Sequence, residues 1–397
     1  MRADVVVVGG GPVGCFVSGV LAKRGFDVVV VEEHGEVGNP ACCAGIVGVN
    51  GLKELGIKPG EWVLGKLRRA VIYPPSNESI ELTRGKVEAF VIDRAEFDRS
   101  LAREAAEAGA NFFLKSRCTG IKLGGEPAVN IRGIRGGQLK ARLVIGADGP
   151  TSIIAREAGL VRSGRFLKGA QMEVVADAPD DTAEVYFGRS FAPGFFGWLV
   201  QAGDVARAGI CCVEGDPLRT LYNFVGKHPV VSSKIGGGKV LNISVGPIPE
   251  PWSRKLYGDH LMLVGDAAGQ VKPLTGGGIY FGLSCARMAA EIAARALEGD
   301  PDRKALHAYE RAVDGKFGEE FRLGLRARRV FEQMPDEDLD AVFRLLSRKD
   351  IRKLVLKNFG FDQHMKLVRT LLPEMPKIFK ELGIKRAIKY MRYLMAP

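Results

Sequence analysis

The first 33 residues constrain the fold of this chain more than any other stretch. Four consecutive valines end at Val8, a glycine-rich turn follows, and a second valine run ends at Glu32-Glu33. The turn reads Gly9-Gly10-Gly11-Pro12-Val13-Gly14. This order of strand, glycine turn, small-residue helix, strand and acidic residue is typical of a dinucleotide-binding βαβ unit.

Each part of this stretch has a physical role at a nucleotide site. Gly9 permits a tight turn, Gly11 lets the backbone approach a pyrophosphate, and Gly14 lets the helix pack close to the strand. The helix N-terminus stabilises phosphate charge, and Glu32 can accept hydrogen bonds from ribose hydroxyls. The alternative is a glycine-rich turn in an ordinary α/β domain. This stretch leaves open whether the nucleotide is NAD or FAD.

Two later strands also end in an acid with glycines beside it. One ends at Asp148-Gly149, and the other at Gly265-Asp266, with Pro273 and Gly276-Gly277-Gly278 before a helix predicted from 279 to 297. An NAD site needs no second glycine-rich segment so far along the chain, whereas the ribityl chain and ring of FAD do. Asp266 would bind ribityl hydroxyls, and backbone N–H groups at 276–278 would face the N1/O2 side of the flavin.

Length and composition favour a soluble globular protein of two or three domains. No segment reaches the roughly 18 consecutive apolar residues of a membrane span, and the first strand begins at once, which leaves no room for a signal peptide. We therefore predict a cytoplasmic protein. Its seven cysteines and five histidines form no cluster with metal-ligand spacing, so no metal site is predicted.

The predicted fold class is α/β, with a discontinuous Rossmann-like domain. A parallel-sheet FAD-binding domain is predicted to comprise residues 1–66, 83–168 and 246–300. An inserted antiparallel sheet, the predicted substrate domain, comprises a hairpin at 67–82 and the strand-rich stretch 169–245. Residues 301–397 are helical in pattern and form a basic C-terminal region.

The three glycine–acid motifs together resemble the two-domain FAD enzymes of the glutathione-reductase-type superfamily that includes aromatic hydroxylases. The resemblance spans about residues 1–300. It also aligns Arg94, in the pattern V-x-x-R-x-x-F-D, with a cofactor contact, although a solvated first-turn arginine is the alternative. The cofactor contacts that the resemblance implies are Gly9, Gly11, Pro12, Val13, Gly14, Glu32, Glu33, Cys43, Ala44, Arg94, Cys118, Asp148, Gly149, Asp266, Pro273, Gly276, Gly277 and Gly278.

Within this group the chain is most similar to the geranylgeranyl reductases of the archaeal type. The loop Gly38-x-Pro40-x-x-Cys43 matches the G-x-P-x-x-C loop of that family. Residues 193–200, with Gly209 downstream, occupy the place of its Y-x-W-x-F-P-K…G substrate motif. The residues that depart from that motif are Phe196, Val200, Gln201 and Ala202, which stand for Tyr, Phe, Pro and Lys. The resemblance implies Cys43 and Trp198 as catalytic residues and Phe196, Trp198 and Gly209 as substrate contacts. The alternative for Cys43 is an inert packed thiol, and the alternative for the aromatic residues is a place in the core of the sheet.

The resemblance implies an FAD-dependent reductase that saturates C=C bonds of geranylgeranyl chains on a glycerol ether lipid. Flavin N5 would deliver hydride to one alkene carbon and a proton would be added to the other. Because an isolated alkene is not polarised, protonation must lead or accompany hydride transfer. The electron donor would be external: ferredoxin, a reduced deazaflavin or NAD(P)H. The alternatives are a flavin monooxygenase or quinone-type reductase on the same scaffold, and a non-catalytic prenyl-lipid binding or escort protein.

The net charge of +11 is concentrated at the C-terminal end. Residues 341–397 contain 14 Lys and Arg against four Asp and Glu, a net charge of +10. Helical spacing predicts an apolar face of Ile384, Ala387, Ile388, Met391 and Met395, with Lys385, Arg386, Lys389 and Arg392 on or near the other face. This segment is either a helix packed on the body with a solvated basic face or a peripheral contact with an anionic membrane. No nucleic-acid module is visible, so no nucleic-acid partner is predicted.

Overall fold

The computed structural model describes residues 1–161, 164–251, 254–374, 376 and 381–395. The strands are β1 Arg2–Val8, β2 Val28–Val31, β3 Ile46–Gly48, β4 Val63–Leu67, β5 Arg69–Tyr73, β6 Ile80–Thr83, β7 Ala89–Ile92, β8 Asn111–Phe113, β9 Ser116–Lys122, β10 Ala128–Gly133, β11 Gly137–Gly146, β12 Phe166–Val175, β13 Thr182–Phe187, β14 Phe196–Ala202, β15 Val205–Cys212, β16 Lys239–Pro249, β17 Tyr257–Gly258 and β18 Leu261–Leu263.

The α-helices are α1 Pro12–Ala22, α2 Val49–Glu54, α3 Arg94–Glu107, α4 Ile153–Glu157, α5 Pro217–Lys227, α6 Pro229–Ile235, α7 Ile279–Leu297, α8 Arg303–Glu332, α9 Asp336–Ser347, α10 Lys349–Asn358, α11 Met365–Leu371 and α12 Ile384–Met395. Short 3₁₀ turns follow at Gly265–Ala268 and Leu372–Glu374. Helix α7 begins and ends where the sequence predicts.

The chain folds into two compact units. Unit 1 comprises residues 1–41, 94–166 and 248–318, and unit 2 comprises residues 42–93, 167–247 and 319–397.

Unit 1 is built on a parallel sheet of the order β18-β11-β1-β2-β8. Strand β17 adds an antiparallel edge, and the hairpin of β9 and β10 extends β11. The valines of β1 and β2 are almost completely buried, as expected for strands covered on both faces. Gly19 on α1 lies against Ala105 on α3, where a Cβ on Gly19 would come within 3.3 Å of the Ala105 Cα. Small residues therefore allow these two helices to pack closely.

Unit 2 is built on a seven-stranded sheet of the order β16-β12-β15-β14-β13-β5-β6. The predicted hairpin is confirmed as β5 and β6, and it joins this sheet through the parallel pair β5 and β13. Helices α5 and α6 cover one face, where Tyr186, Leu199 and Phe224 belong to a buried core. A three-stranded sheet of β3, β7 and β4 packs through Val91 against Val200 of β14.

The mixed α/β class with parallel and antiparallel sheets and a helical C-terminal region is confirmed. The compact units nevertheless divide the chain differently from the predicted domains. Residues 42–66 and 83–93, predicted within the FAD-binding domain, lie in unit 2, because β3, β4 and β7 pair with one another and not with the parallel sheet. Residues 319–397 also belong to unit 2, whereas the prediction made 301–397 a separate region. In the described part of the chain, no helix is apolar over a length that would cross a bilayer.

Candidate cofactor and substrate sites

The first glycine turn can be made only by glycines at two of its positions. Gly9 has φ +104°, and a Cβ there would lie 2.3 Å from the carbonyl oxygen of Ala147. A Cβ on Gly14 would lie 2.0 Å from the carbonyl oxygen of Gly9. Gly11 differs, since among the described residues no atom apart from its chain neighbours lies within 4 Å of its Cβ position. The start of α1, with Pro12 as its first residue, therefore opens onto free space of the kind that a pyrophosphate needs.

Glu32 lies against this turn, whereas Glu33 does not. The Glu32 carboxylate is buried and accepts hydrogen bonds from the backbone N–H of Gly10 at 2.6 Å and of His34 at 2.8 Å. Its position is thus determined by the turn itself, at the end of β2 where a ribose hydroxyl would be bound. Glu33 instead forms a half-exposed ion pair with Arg117 at 3.3 Å.

Asp148 and Cys118 have structural roles in unit 1. The Asp148 carboxylate accepts hydrogen bonds from Ser152 Oγ at 2.5 Å and from the Ile154 N–H at 3.1 Å, and so supports the start of α4. Burial raises the pKa of Asp148, and these hydrogen bonds oppose the shift. Gly149, with φ +75°, makes the turn into that helix. Cys118 is buried, and burial raises the pKa of its thiol to about 11, which keeps it protonated near neutral pH.

Asp266, Arg94 and the start of α7 come together in unit 1. Burial raises the pKa of Asp266 to about 6, and the charge of Arg94 opposes this shift. Arg94 is held by Asp98, with Nε 3.2 Å from Oδ1 and Nη2 3.0 Å from Oδ2. A Cβ on Gly278, the residue that precedes α7, would lie 2.9 Å from Asp266 Oδ1. A carboxylate, a cation and a helix N-terminus therefore share one location.

Lys272 is a residue at this location that the sequence interpretation missed. Its N–H donates to the carbonyl oxygen of Gly277 at 2.9 Å, and its own carbonyl oxygen accepts from Gly276 at 2.9 Å. The side chain is only 7% exposed, and its Cε would lie 2.8 Å from a Cβ on Gly277. A buried cation and a helix N-terminus both favour an anion. The signal in the sequence is a lysine between Val271 and Pro273, both of which are buried.

In unit 2, the Cys43 loop is held against the face of the large sheet that α5 and α6 do not cover. The Cys43 thiol is partly buried, and its sulfur accepts the N–H of Gly45 at 3.3 Å. The Cys43 carbonyl oxygen accepts from Gln171 Nε2 at 3.1 Å. The Ala44 carbonyl oxygen accepts from Arg207 Nη1 at 3.4 Å, whereas the neighbouring Cys42 is exposed. Two side chains of the sheet therefore hold consecutive carbonyls of the loop.

Trp198 and Gly209 lie together on the same face. The Trp198 indole Nε1 donates to Gln171 Oε1 at 3.1 Å. A Cβ on Gly209 would lie 2.1 Å from Trp198 Cζ2, so the indole covers that glycine. Phe196, at the start of β14, belongs to a different group of rings: it stacks on Phe195 at 4.4 Å and packs beside Phe187 at 5.7 Å. The structure thus brings Cys43, Trp198 and Gly209 to one cluster.

The sequence interpretation missed three polar residues of this cluster. Gln171 and Arg207 are buried, and Arg207 Nε donates to Glu173 Oε1 at 3.0 Å. Arg207 Nη1 also donates to the Ile92 carbonyl oxygen at 2.9 Å. A usable signal is their position in β12 and β15, where polar side chains interrupt largely apolar strands.

Helix α12 buries only part of its predicted apolar face. Ala387 and Tyr390 are buried, and the Tyr390 hydroxyl donates to Asp338. Arg386, predicted as a surface cation, pairs with the same buried Asp338. Ile388 and Met391 of the predicted apolar face are 51% and 42% exposed. Tyr390 is buried because its hydroxyl donates to a buried carboxylate. The side chains at 384 and 395 lie outside the described residues.

The residues of unit 1 fit FAD. The free space at Gly11 suits a pyrophosphate, Glu32 a ribose, and the Asp266 location a polyol chain ahead of an anionic ring. A family model described as an FAD binding domain matches residues 2–202.

Curated relatives match the chain over nearly its whole length. A digeranylgeranylglycerophospholipid reductase 2 of Methanopyrus kandleri is 33% identical, over 96% of this chain and 98% of the relative. A digeranylgeranylglycerophospholipid reductase of Methanocaldococcus jannaschii is 32% identical, over 96% of this chain and 98% of the relative.

A solved structure from Thermoplasma acidophilum, described as geranylgeranyl bacteriochlorophyll reductase-like, superposes with a TM-score of 0.86 at 27% identity, covering 96% of this chain and 98% of that chain. Together with the fold and the nucleotide site, these comparisons define an FAD-dependent oxidoreductase, and the predicted cofactor is confirmed. More particularly, the chain belongs to the family of the digeranylgeranylglycerophospholipid reductases.

Proposed function

We propose that this protein saturates the C=C bonds of geranylgeranyl chains carried by a glycerol ether lipid. The observation that carries this proposal is the near full-length likeness to a reductase named for a digeranylgeranyl glycerophospholipid, which includes both compact units. The Cys43 and Trp198 cluster in unit 2 supports it, because both residues lie at positions where the sequence resembles the reductases.

The chemistry requires a hydride and a proton. When bound and reduced, FAD would supply the hydride to one alkene carbon, and a proton drawn from solvent would add to the other. The N-terminus of α7, together with the buried Lys272, favours negative charge beside Gly276–Gly278. Glu32 would hold the ribose of the nucleotide half, and the free space at Gly11 would admit its pyrophosphate. The residues of unit 1 therefore bind and orient the cofactor.

The residues of unit 2 suit an apolar, uncharged chain. Phe196 and Trp198 are partly buried and offer aromatic surface, whereas Phe195 is a core residue at 2% exposure. Cys43 presents its sulfur in a turn held by Gly45. Aromatic surface of this kind would exclude water from an alkenyl chain.

The test is reduction of the lipid under anaerobic conditions. The protein, loaded with FAD and reduced with dithionite, is incubated with a digeranylgeranyl glycerophospholipid, and the lipid is analysed by mass spectrometry. We expect the lipid mass to rise in steps of two hydrogens per saturated bond. An unchanged lipid mass, with flavin bound and reduced, refutes the proposal. Substrate-stimulated, oxygen-dependent NAD(P)H consumption would instead identify a monooxygenase, and lipid binding without flavin turnover an escort protein.

The proposal includes an external electron donor. Candidates are ferredoxin, a reduced deazaflavin and NAD(P)H, and each is tested by the rate at which it bleaches the oxidised flavin absorbance without oxygen. The donor that supports lipid reduction at the same rate as it reduces the flavin is the working partner. If none of the three reduces the flavin, this part of the proposal fails while dithionite-driven lipid reduction still tests the rest.

The proposal also includes a peripheral contact with an anionic membrane through residues 341–397. The described residues of α12 support it, because Ile388 and Met391 are exposed beside Lys385, Lys389 and Arg392. A shallow hollow of about 370 Å³ is lined by Lys385, Ile388, Lys389, Arg392 and Tyr393. Cations around an apolar residue are the combination with which surface helices bind anionic lipid.

A further inference from the structure

The side-chain amide of Gln171 forms a hydrogen bond through its oxygen and another through its nitrogen, each with a different partner. Its Oε1 accepts from the Trp198 indole at 3.1 Å, and its Nε2 donates to the Cys43 carbonyl oxygen at 3.1 Å. An indole N–H can only donate and a carbonyl oxygen can only accept. The chemistry of the two partners therefore fixes the orientation of the amide, and a flipped amide would lose both hydrogen bonds.

Gly209 explains how Trp198 reaches Gln171. In the strand register Gly209 of β15 is paired with Trp198 of β14 on one side and with Gln171 of β12 on the other. The indole crosses the glycine, where a Cβ would lie 2.1 Å from Cζ2. A side chain at position 209 would block the bond between the two outer strands. Trp198 and Gly209 thus belong to one arrangement directed at Gln171.

The loop is held a second time by Arg207. Its Nη1 donates to the carbonyl oxygens of Ile92 at 2.9 Å and Ala44 at 3.4 Å, and its Nε is held by Glu173. A Cβ on Gly45 would lie 2.6 Å from Nη1, so this glycine lets the guanidinium approach. Because the Cys43 sulfur accepts the Gly45 N–H, the location of the sulfur depends on the conformation that these two side chains impose.

We propose that Gln171, oriented by Trp198 across Gly209, is a positioning residue that holds the Cys43 thiol in place for the reaction. This inference deepens the proposed function and rests on it for the catalytic consequence. It gives the tryptophan of the substrate motif a role through its N–H, in addition to any apolar surface it offers. Trp198→Phe keeps an aromatic ring at this position and removes the N–H donor, and the matched substitution Trp62→Phe controls for the smaller ring.

The first test measures Cys43 directly and needs no lipid. Iodoacetamide alkylation of the FAD-loaded protein is followed by tandem mass spectrometry, which assigns the label to Cys42 or Cys43. In Trp198→Phe we expect the Cys43 rate to rise by up to about tenfold, the effect of one lost hydrogen bond, and in Gln171→Met, which loses two, by at least as much. The exposed Cys42 serves as an internal reference whose rate should not change. An unchanged Cys43 rate in both variants overturns the inference.

The second test uses a double-mutant cycle. If Trp198 acts through Gln171, the double variant should change the Cys43 rate no more than Gln171→Met alone. Additive effects would show that the two residues act separately and would overturn the proposal that Trp198 acts through Gln171. The matched controls are Trp62→Phe and Gln201→Met, which replace a buried tryptophan and a buried glutamine elsewhere in unit 2. These controls should leave Cys43 alkylation at the wild-type rate.

Lipid turnover then separates positioning from binding. We expect Trp198→Phe to lower kcat up to about tenfold with KM nearly unchanged, whereas loss of an apolar wall would raise KM. A rise in KM alone, with kcat and alkylation at wild-type values, refutes positioning. If the wild-type protein reduces no lipid but the alkylation rates respond as described, the proposed function is refuted. The positioning of Cys43 by Gln171 and Trp198 is then still supported.

Discussion

The proposed nucleotide site of unit 1 depends on backbone contacts, whereas the Cys43 cluster of unit 2 depends on side-chain contacts. In unit 1 the turn depends on close backbone contacts at Gly9 and Gly14, which lie within six residues of each other. In unit 2 the contacts are made by side chains, since Gln171 and Arg207 bind carbonyl groups more than 100 residues away in the chain. A site made of backbone tolerates no Cβ, whereas a site made of side chains tolerates no loss of a hydrogen-bonding group.

A single methyl group in the first turn should have the largest effect. Gly14→Ala should destabilise the protein by about 3 kcal/mol and abolish FAD binding, because its Cβ would lie 2.0 Å from the Gly9 carbonyl oxygen. Gly11→Ala is the matched control: it meets no atom, so it should fold like the wild type and lose only FAD affinity. Thermal unfolding and bound-flavin absorbance measure both effects. Equal stability of the two variants would refute the backbone-contact account.

Asp266 shows that unit 1 also contains a side chain retained at a cost to stability. Its folded pKa of about 6 lies above the ordinary value of 3.8, so the FAD-free protein loses stability as pH rises between these values. Asp266→Asn should therefore stabilise the FAD-free protein above pH 6 by at most about 3 kcal/mol and weaken FAD binding. The gain should disappear as pH falls to about 4. Urea unfolding at several pH values measures it, and a pH-independent difference would contradict the assignment.

Arg207 tests the side-chain half of the comparison. Arg207→Met should destabilise unit 2 by about 2 kcal/mol, because it removes the bonds to Ile92 and Ala44 and leaves Glu173 without that partner. Arg69→Met removes an exposed pair with Asp181 and should leave unfolding unchanged. Chemical denaturation compares the stabilities of the two variants, and Cys43 alkylation serves as a second readout. Two equally stable variants would show that the hydrogen bonds of the buried Arg207 do not raise the free energy of unfolding.

The smallest effects are expected from the exposed cations of α12. Lys385→Gln and Lys389→Gln should each weaken binding to anionic phospholipid vesicles about fivefold, or about 1 kcal/mol, at low salt. Arg386→Gln should lower stability instead, because Arg386 pairs with the buried Asp338. Vesicle sedimentation measures the binding, with neutral vesicles as the control. Equal binding to neutral and anionic vesicles would exclude an electrostatic contact.

Some of these features were predictable because they depend on neighbours in sequence. The α/β class, the hairpin of β5 and β6, and helix α7 follow from local periodicity and turn residues, and the structure confirms them. The domain boundaries differ because β3, β4 and β7 are ordinary short strands whose partners cannot be read from their own residues. Helix α12 buries only part of its predicted apolar face because the buried Asp338 accepts a hydrogen bond from Tyr390.

The glycine turn between β1 and α1 could be predicted from sequence, since glycine spacing, a valine strand and an acid lie within one local stretch and steric exclusion of a Cβ is a local property. The surroundings of Cys43 depend on tertiary structure. Gln171, Trp198 and Arg207 belong to three strands, and the strand register brings them to one face of a sheet. The physical reason is that hydrogen bonds between distant residues depend on register and burial, which no single segment of the chain encodes.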